Sequence, residues 1–243
     1  MLSLEQQDHW REIYRRSHPN WQPATEIFAA FVRRELRPDS RLLDLGCGRG
    51  GIVEQLGHPP ARMTGIDPDY LSLHQHRLIS MPRAAALSDQ LPFAADSFDI
   101  VIAGWLLEHL VAPSRSFSAI CRVLRPGGAF IFITPNTGHP VAWLNRVAGR
   151  LGQLQGWLVS RIYNRSEADT FSTYYQANSP AAIAGLTSDA GLTLESIEYI
   201  ADPSYLAFNR LLYNGMSAID DYLPPTRRIH IVGLVRKQAR SKS

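Results

Sequence analysis

Cysteine is scarce: the chain of 243 residues holds two, Cys47 and Cys121. Two thiols cannot frame a disulfide scaffold or a four-cysteine zinc site. No run approaches the ~18 consecutive apolar residues of a membrane-spanning helix. Neither sign of charge dominates, since 25 basic residues stand against 22 acidic ones, a net charge of +3. The one basic cluster, 236–242, reads as a solvated terminal segment rather than a nucleic-acid contact. The opening residues lack the basic flank and apolar run of a secretory signal, so a cytoplasmic location is expected. Internal repeats and low-complexity tracts are missing too. Apolar residues are plentiful, at 45% against 19% charged, which is enough to bury a core.

Short apolar runs alternate with helical periodicity. Residues 1–37 set Ile27, Phe28, Phe31, Val32 and Leu36 at helical spacing. A buried strand is expected at 41–45, a glycine loop at 46–51 and a helix at 52–56. A second strand follows at 62–67, a helix at 70–79 and a strand at 100–103. An amphipathic helix at 113–124 aligns Phe117, Ile120, Cys121 and Leu124, and Pro126-Gly127-Gly128 ends it before a strand at 129–134. Further on come a helix at 180–190, a strand at 193–200, a helix at 205–223 and a last strand at 229–235. Alternation of this kind predicts an α/β fold with a parallel sheet covered on both faces. No linker separates a second domain.

A strand, a glycine loop and a helix make a nucleotide-binding design, because glycine lets the backbone approach a ligand. Gly46, Gly48 and Gly51 satisfy the G-x-G-x-x-G spacing of dinucleotide sites. Asp44 chooses between ligands. It lies two residues before Gly46 and would repel a pyrophosphate. It would attract the ammonium and sulfonium of S-adenosylmethionine (SAM), which has no phosphate. Asp67, 23 residues after Asp44, ends the second strand where an acid accepts hydrogen bonds from ribose hydroxyls. A helix cap is the plainer role for it.

These residues reach a family. Residues 42–50, Leu-Leu-Asp-Leu-Gly-Cys-Gly-Arg-Gly, resemble the first motif of class I SAM-dependent methyltransferases. Gly65-Ile66-Asp67-Pro68-Asp69 resembles the second. Leu91-Pro92-Phe93, residues 97–101, Glu108-His109-Leu110 and residues 124–128 resemble the next blocks, in order. Together they cover 40–135 and look most like the small-molecule branch that includes quinone-pathway C-methylases. The resemblance implies a three-layer Rossmann-like fold, its seven-stranded sheet mostly parallel with the last strand antiparallel, plus helical lid insertions. The chain then divides as one domain: N-terminal helices at 1–37, a SAM-binding core at 38–135, and acceptor lids at 136–178 and 203–225. It implies SAM as cofactor, with Asp44, Gly46, Cys47, Gly48, Asp67 and Pro68 around it and Gly104 and Trp105 as further pocket candidates. Cys47 reads equally as a small packing residue, and Trp105 equally as core. One position departs from the family. The acid that meets the adenine amino group lies four residues before Leu91, and here that residue is Leu87. Ser88 and Asp89 are the substitutes.

Methyl transfer from a sulfonium asks mainly for positioning, and for a base only where the acceptor keeps its proton. His109 is the candidate base, although Glu108-His109 equally reads as an element that orders its loop. His139, Tyr174 and Tyr175 are candidates for the acceptor side. His74 and His76 have no acidic company, so no metal is expected. Residues 141–162 read as an arginine-bearing amphipathic helix with Trp143 and Trp157. That pattern suits a cap, a homodimer contact or a peripheral membrane contact. The acceptor is then a small organic molecule, lipid-like in the membrane case, and not a nucleic acid. Two other readings stay open: a non-catalytic partner with the same fold, and an NAD(P)-dependent oxidoreductase.

Overall fold

The computed structural model describes residues 3–143 and 172–239. Its sheet joins β1 (Leu42–Leu45), β2 (Met63–Asp67), β3 (Arg83–Ala85), β4 (Phe98–Gly104), β5 (Leu124–Pro135), β6 (Leu192–Ile200) and β7 (His230–Lys237). The strand order is β3-β2-β1-β4-β5-β7-β6. β7 runs antiparallel to both its neighbours, β5 and β6, while the pairs from β3 across to β5 are parallel. This is the expected mostly parallel sheet with an antiparallel last strand.

Central strands are apolar on both faces because helices cover both. All four residues of β1 are buried. Leu43, Leu45, Val101, Phe130 and Phe132 face Phe117 and Ile120 of α4 (Pro113–Val123) and Ile183 of α5 (Pro180–Asp189). Leu42, Ile100, Ile102 and Ile131 meet Phe28, Phe31 and Val32 of α2 (Ala24–Glu35) on the other face. The N-terminal helix α1 (Leu4–Ser17) begins with a reciprocal cap between Ser3 and Gln6. Its Tyr14 packs with Ala201, Ala207 and Tyr213, and Arg11 pairs with buried Asp202 at 2.7 Å. The N-terminal helices therefore brace the region after β6, where α6 (Arg210–Tyr222) lies.

Several elements differ from expectation. The helix expected at 52–56 is a single 3-10 turn, Ile52–Gln55, stopped by Gly57 at φ +66° and Pro59-Pro60. The helix expected at 70–79 ends early and is α3 (Tyr70–His74), capped by the Asp69 carboxylate on the N–H groups of Leu71 and Ser72. Strand β3 has too short an apolar run to be read from sequence. Pro126-Gly127-Gly128 is not a turn between elements, because β5 begins at Leu124, directly after α4, and absorbs these residues in a register shift against β4. The helix expected at 205–223 divides into a 3-10 turn, Pro203–Leu206, and α6. Of the stretch 141–162, everything beyond Trp143 lies outside the described residues, and with it the expected membrane or dimer contact. Among the described residues no helix is long and apolar enough to cross a membrane.

Candidate functional site

The carboxyl ends of β1, β2 and β4 lie side by side, with Leu45 paired to both Ile66 and Ala103. The loop leaving β1 is clamped there. Gly46 and Cys47 donate their N–H groups to the Ile66 carbonyl at 2.7 and 3.1 Å, and Gly48 donates to Asp67 Oδ2 at 2.9 Å. Gly48 and Gly50 adopt φ of +48° and +109°, conformations that L side chains rarely take. Gly51 is extended, and a Cβ there would touch nothing within 4 Å. The third glycine of the dinucleotide spacing therefore has no structural task, and no α-helix follows it to present N–H groups to a phosphate. The glycines that the loop does require are Gly46, Gly48 and Gly50, at φ of +70°, +48° and +109°.

Asp44 is buried at 6% exposure. Among the described residues nothing hydrogen-bonds its carboxylate. Burial, reinforced by the charge of Asp67, pushes its pKa up to about 7. Asp67 is buried as well, and its Oδ1 accepts from the Asp69 N–H at 2.8 Å. Two acids thus share the site, one held by backbone donors and the other without a partner. That arrangement suits a cationic ligand carrying hydroxyls. Cys47 turns its thiol inward, where a Cβ on Gly65 would come within 2.7 Å of its Sγ. Burial raises that thiol's pKa, and the Cys47 backbone is itself engaged with Ile66 and Gly50. Pro68 is exposed beside Asp67.

Trp105 follows β4 with φ +57°, a strained setting for so large a residue. It is 37% exposed, so it does not simply fill core. Its N–H donates to the Ile133 carbonyl at 3.0 Å. Next to it, the Leu106 Cδ1 lies 3.0 Å from where a Cβ on Gly46 would stand, which joins this corner to the glycine loop. Gly104 sits in ordinary contact with Phe28 and Ile133. Leu87 is half exposed. The Ser88 hydroxyl pairs with that of Ser116 at 2.9 Å, and Asp89 lines a groove against α4 with Arg115 and Arg122.

Glu108 and His109 close the edge. His109 Nδ1 lies 3.0 Å from the Ser172 carbonyl. A carbonyl only accepts, so Nδ1 carries the proton and Nε2 is the basic nitrogen. Sequence reasoning passed over Glu108 as a site residue. It is 6% exposed, accepts from the Thr134 hydroxyl at 3.2 Å, and burial pushes its pKa up to about 7. Its carbonyl accepts from the N–H groups of Tyr174 and Tyr175. That draws both tyrosines to this edge, Tyr174 at 44% exposure and Tyr175 at φ +52°. His139 is farther inside. It is wholly buried, its Nδ1 accepts from the Val141 N–H, and its Nε2 stands 3.3 Å from Asp220 Oδ1. Among the described residues no three acidic, histidine or cysteine side chains form a metal-binding group.

Comparison with known proteins shows what this geometry is similar to. Residues 43–132 match the family described as a methyltransferase domain. The chain is 33% identical over 116 residues to the ubiquinone biosynthesis O-methyltransferase of Aeromonas salmonicida, covering 45% of this chain and 48% of that one. It is 28% identical over 149 residues to the demethylmenaquinone methyltransferase of Symbiobacterium thermophilum, covering 52% and 59%. The matched part spans about half the length of these curated relatives. Among solved structures, a SAM-dependent methyltransferase from Mesorhizobium loti superposes with a TM-score of 0.59 at 17% identity, covering 88% of this chain and 98% of that one.

Proposed function

We propose that the chain methylates a small organic acceptor with SAM as cofactor, because residues 43–132 match a methyltransferase domain and the fold is that of a solved SAM-dependent methyltransferase. One observation carries this reading: among the described residues the buried Asp44 carboxylate has no hydrogen-bond partner, beside a second acid at the end of the next strand. SAM supplies, when bound, a methyl group already activated on a positively charged sulfur, so the protein is left with placement.

The chain's own residues divide the work. Asp44 holds the ammonium. Asp67 spends one lone pair of each oxygen on Gly48 and Asp69 and keeps the others for ribose hydroxyls. Trp105 and Leu106 wall the cofactor from the acceptor. His109 Nε2 takes the proton of a hydroxyl acceptor, with its tautomer set by Ser172. Tyr174 and Tyr175, tied to Glu108, frame the acceptor. The oxidoreductase reading loses its basis at Gly51, which makes no close approach, and at Asp44, which opposes a pyrophosphate. A small-molecule acceptor is supported by the quinone-pathway relatives and by the near balance of charge. Free Cys47 and Cys121 support a reducing, cytoplasmic setting.

Calorimetric titration with SAM, S-adenosylhomocysteine and NAD tests the reading. Micromolar binding of the first two, and none of NAD, is expected. NAD binding in their place would sink it. A second reading, a non-catalytic partner protein, rests on Leu87 in the adenine position. It predicts cofactor binding too weak to measure in the isolated chain.

A further inference from the structure

His230 opens β7 and is paired with Pro135 at the end of β5 and Ile200 at the end of β6. Because β7 is antiparallel, its first residue stands at the same edge as the last residues of the parallel strands. The ring is 3% exposed, and burial pushes its pKa down to about 4, so it is neutral. Among the described residues its Nδ1 has no hydrogen-bond partner. Two aromatic rings flank it edge-on, Trp105 at 4.9 Å and Tyr205 at 6.1 Å between centroids.

Nearby, Asp220 and His139 stand 3.3 Å apart without the alignment of a hydrogen bond. His139 Nδ1 accepts from Val141, so its proton is on Nε2 and faces Asp220. That pair is turned on itself and ties the segment after β5 to α6. His230 feels the charge of Asp202, but that carboxylate is held by Arg11 and Ser204, and among the described residues nothing hydrogen-bonds His230 Nδ1. An unpartnered buried nitrogen costs stability that an apolar residue would not. Trp105, beside it, holds a second cost in its backbone. Two such costs in contact, where Leu106 meets the glycine loop, mark a place kept for binding.

We propose that His230 binds the methyl acceptor: with Trp105 turned off its edge, Nδ1 hydrogen-bonds an oxygen of a planar hydroxylated ring lying between Trp105 and Tyr205. This rests on the methyl-transfer reading above. The aromatic flanks select a flat ring. A neutral imidazole nitrogen in a dry setting matches a hydroxyl better than a charged group.

The test is calorimetric titration of catechol into protein saturated with S-adenosylhomocysteine, for wild type, His230→Phe and His230→Gln, with thermal melts alongside. Wild type is expected to bind catechol. His230→Phe is expected to keep its affinity for S-adenosylhomocysteine and its melting temperature, and to lose at least about tenfold in catechol affinity. His230→Gln, which keeps a polar atom, is expected to fall within about threefold of wild type. Equal catechol binding by wild type and His230→Phe overturns the proposal, as does absence of catechol binding in the saturated wild type. Failure of His230→Phe to fold also overturns it, since the nitrogen is then a structural requirement. If wild type does not take up S-adenosylhomocysteine at all, the methyl-transfer reading itself fails, and it fails visibly before catechol is added.

Discussion

The two halves of the sheet's carboxyl edge solve one problem with opposite chemistry. On the β1–β2 side the unsatisfied group is an acid, Asp44, beside a second acid only 23 residues on. On the β5–β7 side it is a neutral imidazole, His230, near a histidine 91 positions earlier in the chain. The first half is built locally, from one loop and the strand next to it. The second is assembled from distant segments. A buried acid suits a cationic ligand, whereas a neutral imidazole suits an uncharged polar one. Between them stands Trp105.

Substitution of Asp44 breaks the contrast most sharply. Asp44→Asn is expected to lower SAM affinity by about 10- to 100-fold, the value of a charge-assisted contact. It is expected to raise the melting temperature of the free protein at pH 8, because an uncompensated buried charge is removed. Calorimetry and thermal melts read the two effects in opposite directions. A variant that is both less stable and normal in SAM binding would make Asp44 a structural residue.

Proton linkage comes next in size. Asp44 and Glu108 both have folded pKa values raised to about 7, from ordinary values of 3.8 and 4.5. A raised acid pKa means that the native state binds the proton more tightly. The stabilisation is complete below the unfolded pKa and is lost as pH rises through about 7. The free protein should therefore lose on the order of a few kcal/mol between pH 5 and 8. Glu108→Gln should flatten part of that slope. SAM binding should show the inverse trend, gaining about tenfold per pH unit below 7 and levelling above it. A pH-independent affinity would detach Asp44 from the ammonium.

Within the loop, Gly50→Ala is expected to cost about 1–3 kcal/mol of stability, because its φ is +109°. Gly51→Ala is expected to stay within about 0.5 kcal/mol. Chemical denaturation separates the two, and the reverse order would restore the dinucleotide register. The smallest effect is expected at Leu87, which is half exposed. Leu87→Asp should leave stability unchanged and tighten SAM by less than about tenfold. No tightening would remove this position from the adenine site.

How legible each half was in the sequence follows the same division. Strand β1, the glycine loop and Asp67 could be read because their partners lie within one strand-loop-strand unit. Glu108 appeared only as part of a motif, since its burial depends on Thr134 and its hold on Tyr174 depends on a chain contact far away in sequence. The burial of His230 at this edge was invisible in the sequence. A single histidine opening an apolar strand carries no periodicity, and only the antiparallel placement of that strand brings it to the edge. The helix after Asp69 was overestimated because apolar spacing continues past His74 to Leu78 and Ile79 while the helical backbone does not, and the helix after the glycine loop is a 3-10 turn of nearly the expected span.

The place of β7 also bears on the order in which the chain can fold as it is made. It inserts between β5 and β6, so β6 has no strand to pair with until 230–237 have left the ribosome. Until then β5 presents an unpaired apolar edge. The nucleotide half needs only segments synthesised much earlier. A nascent chain can therefore complete its glycine-loop half well before its β5–β7 half, and through that interval the edge of β5 is open to mispairing.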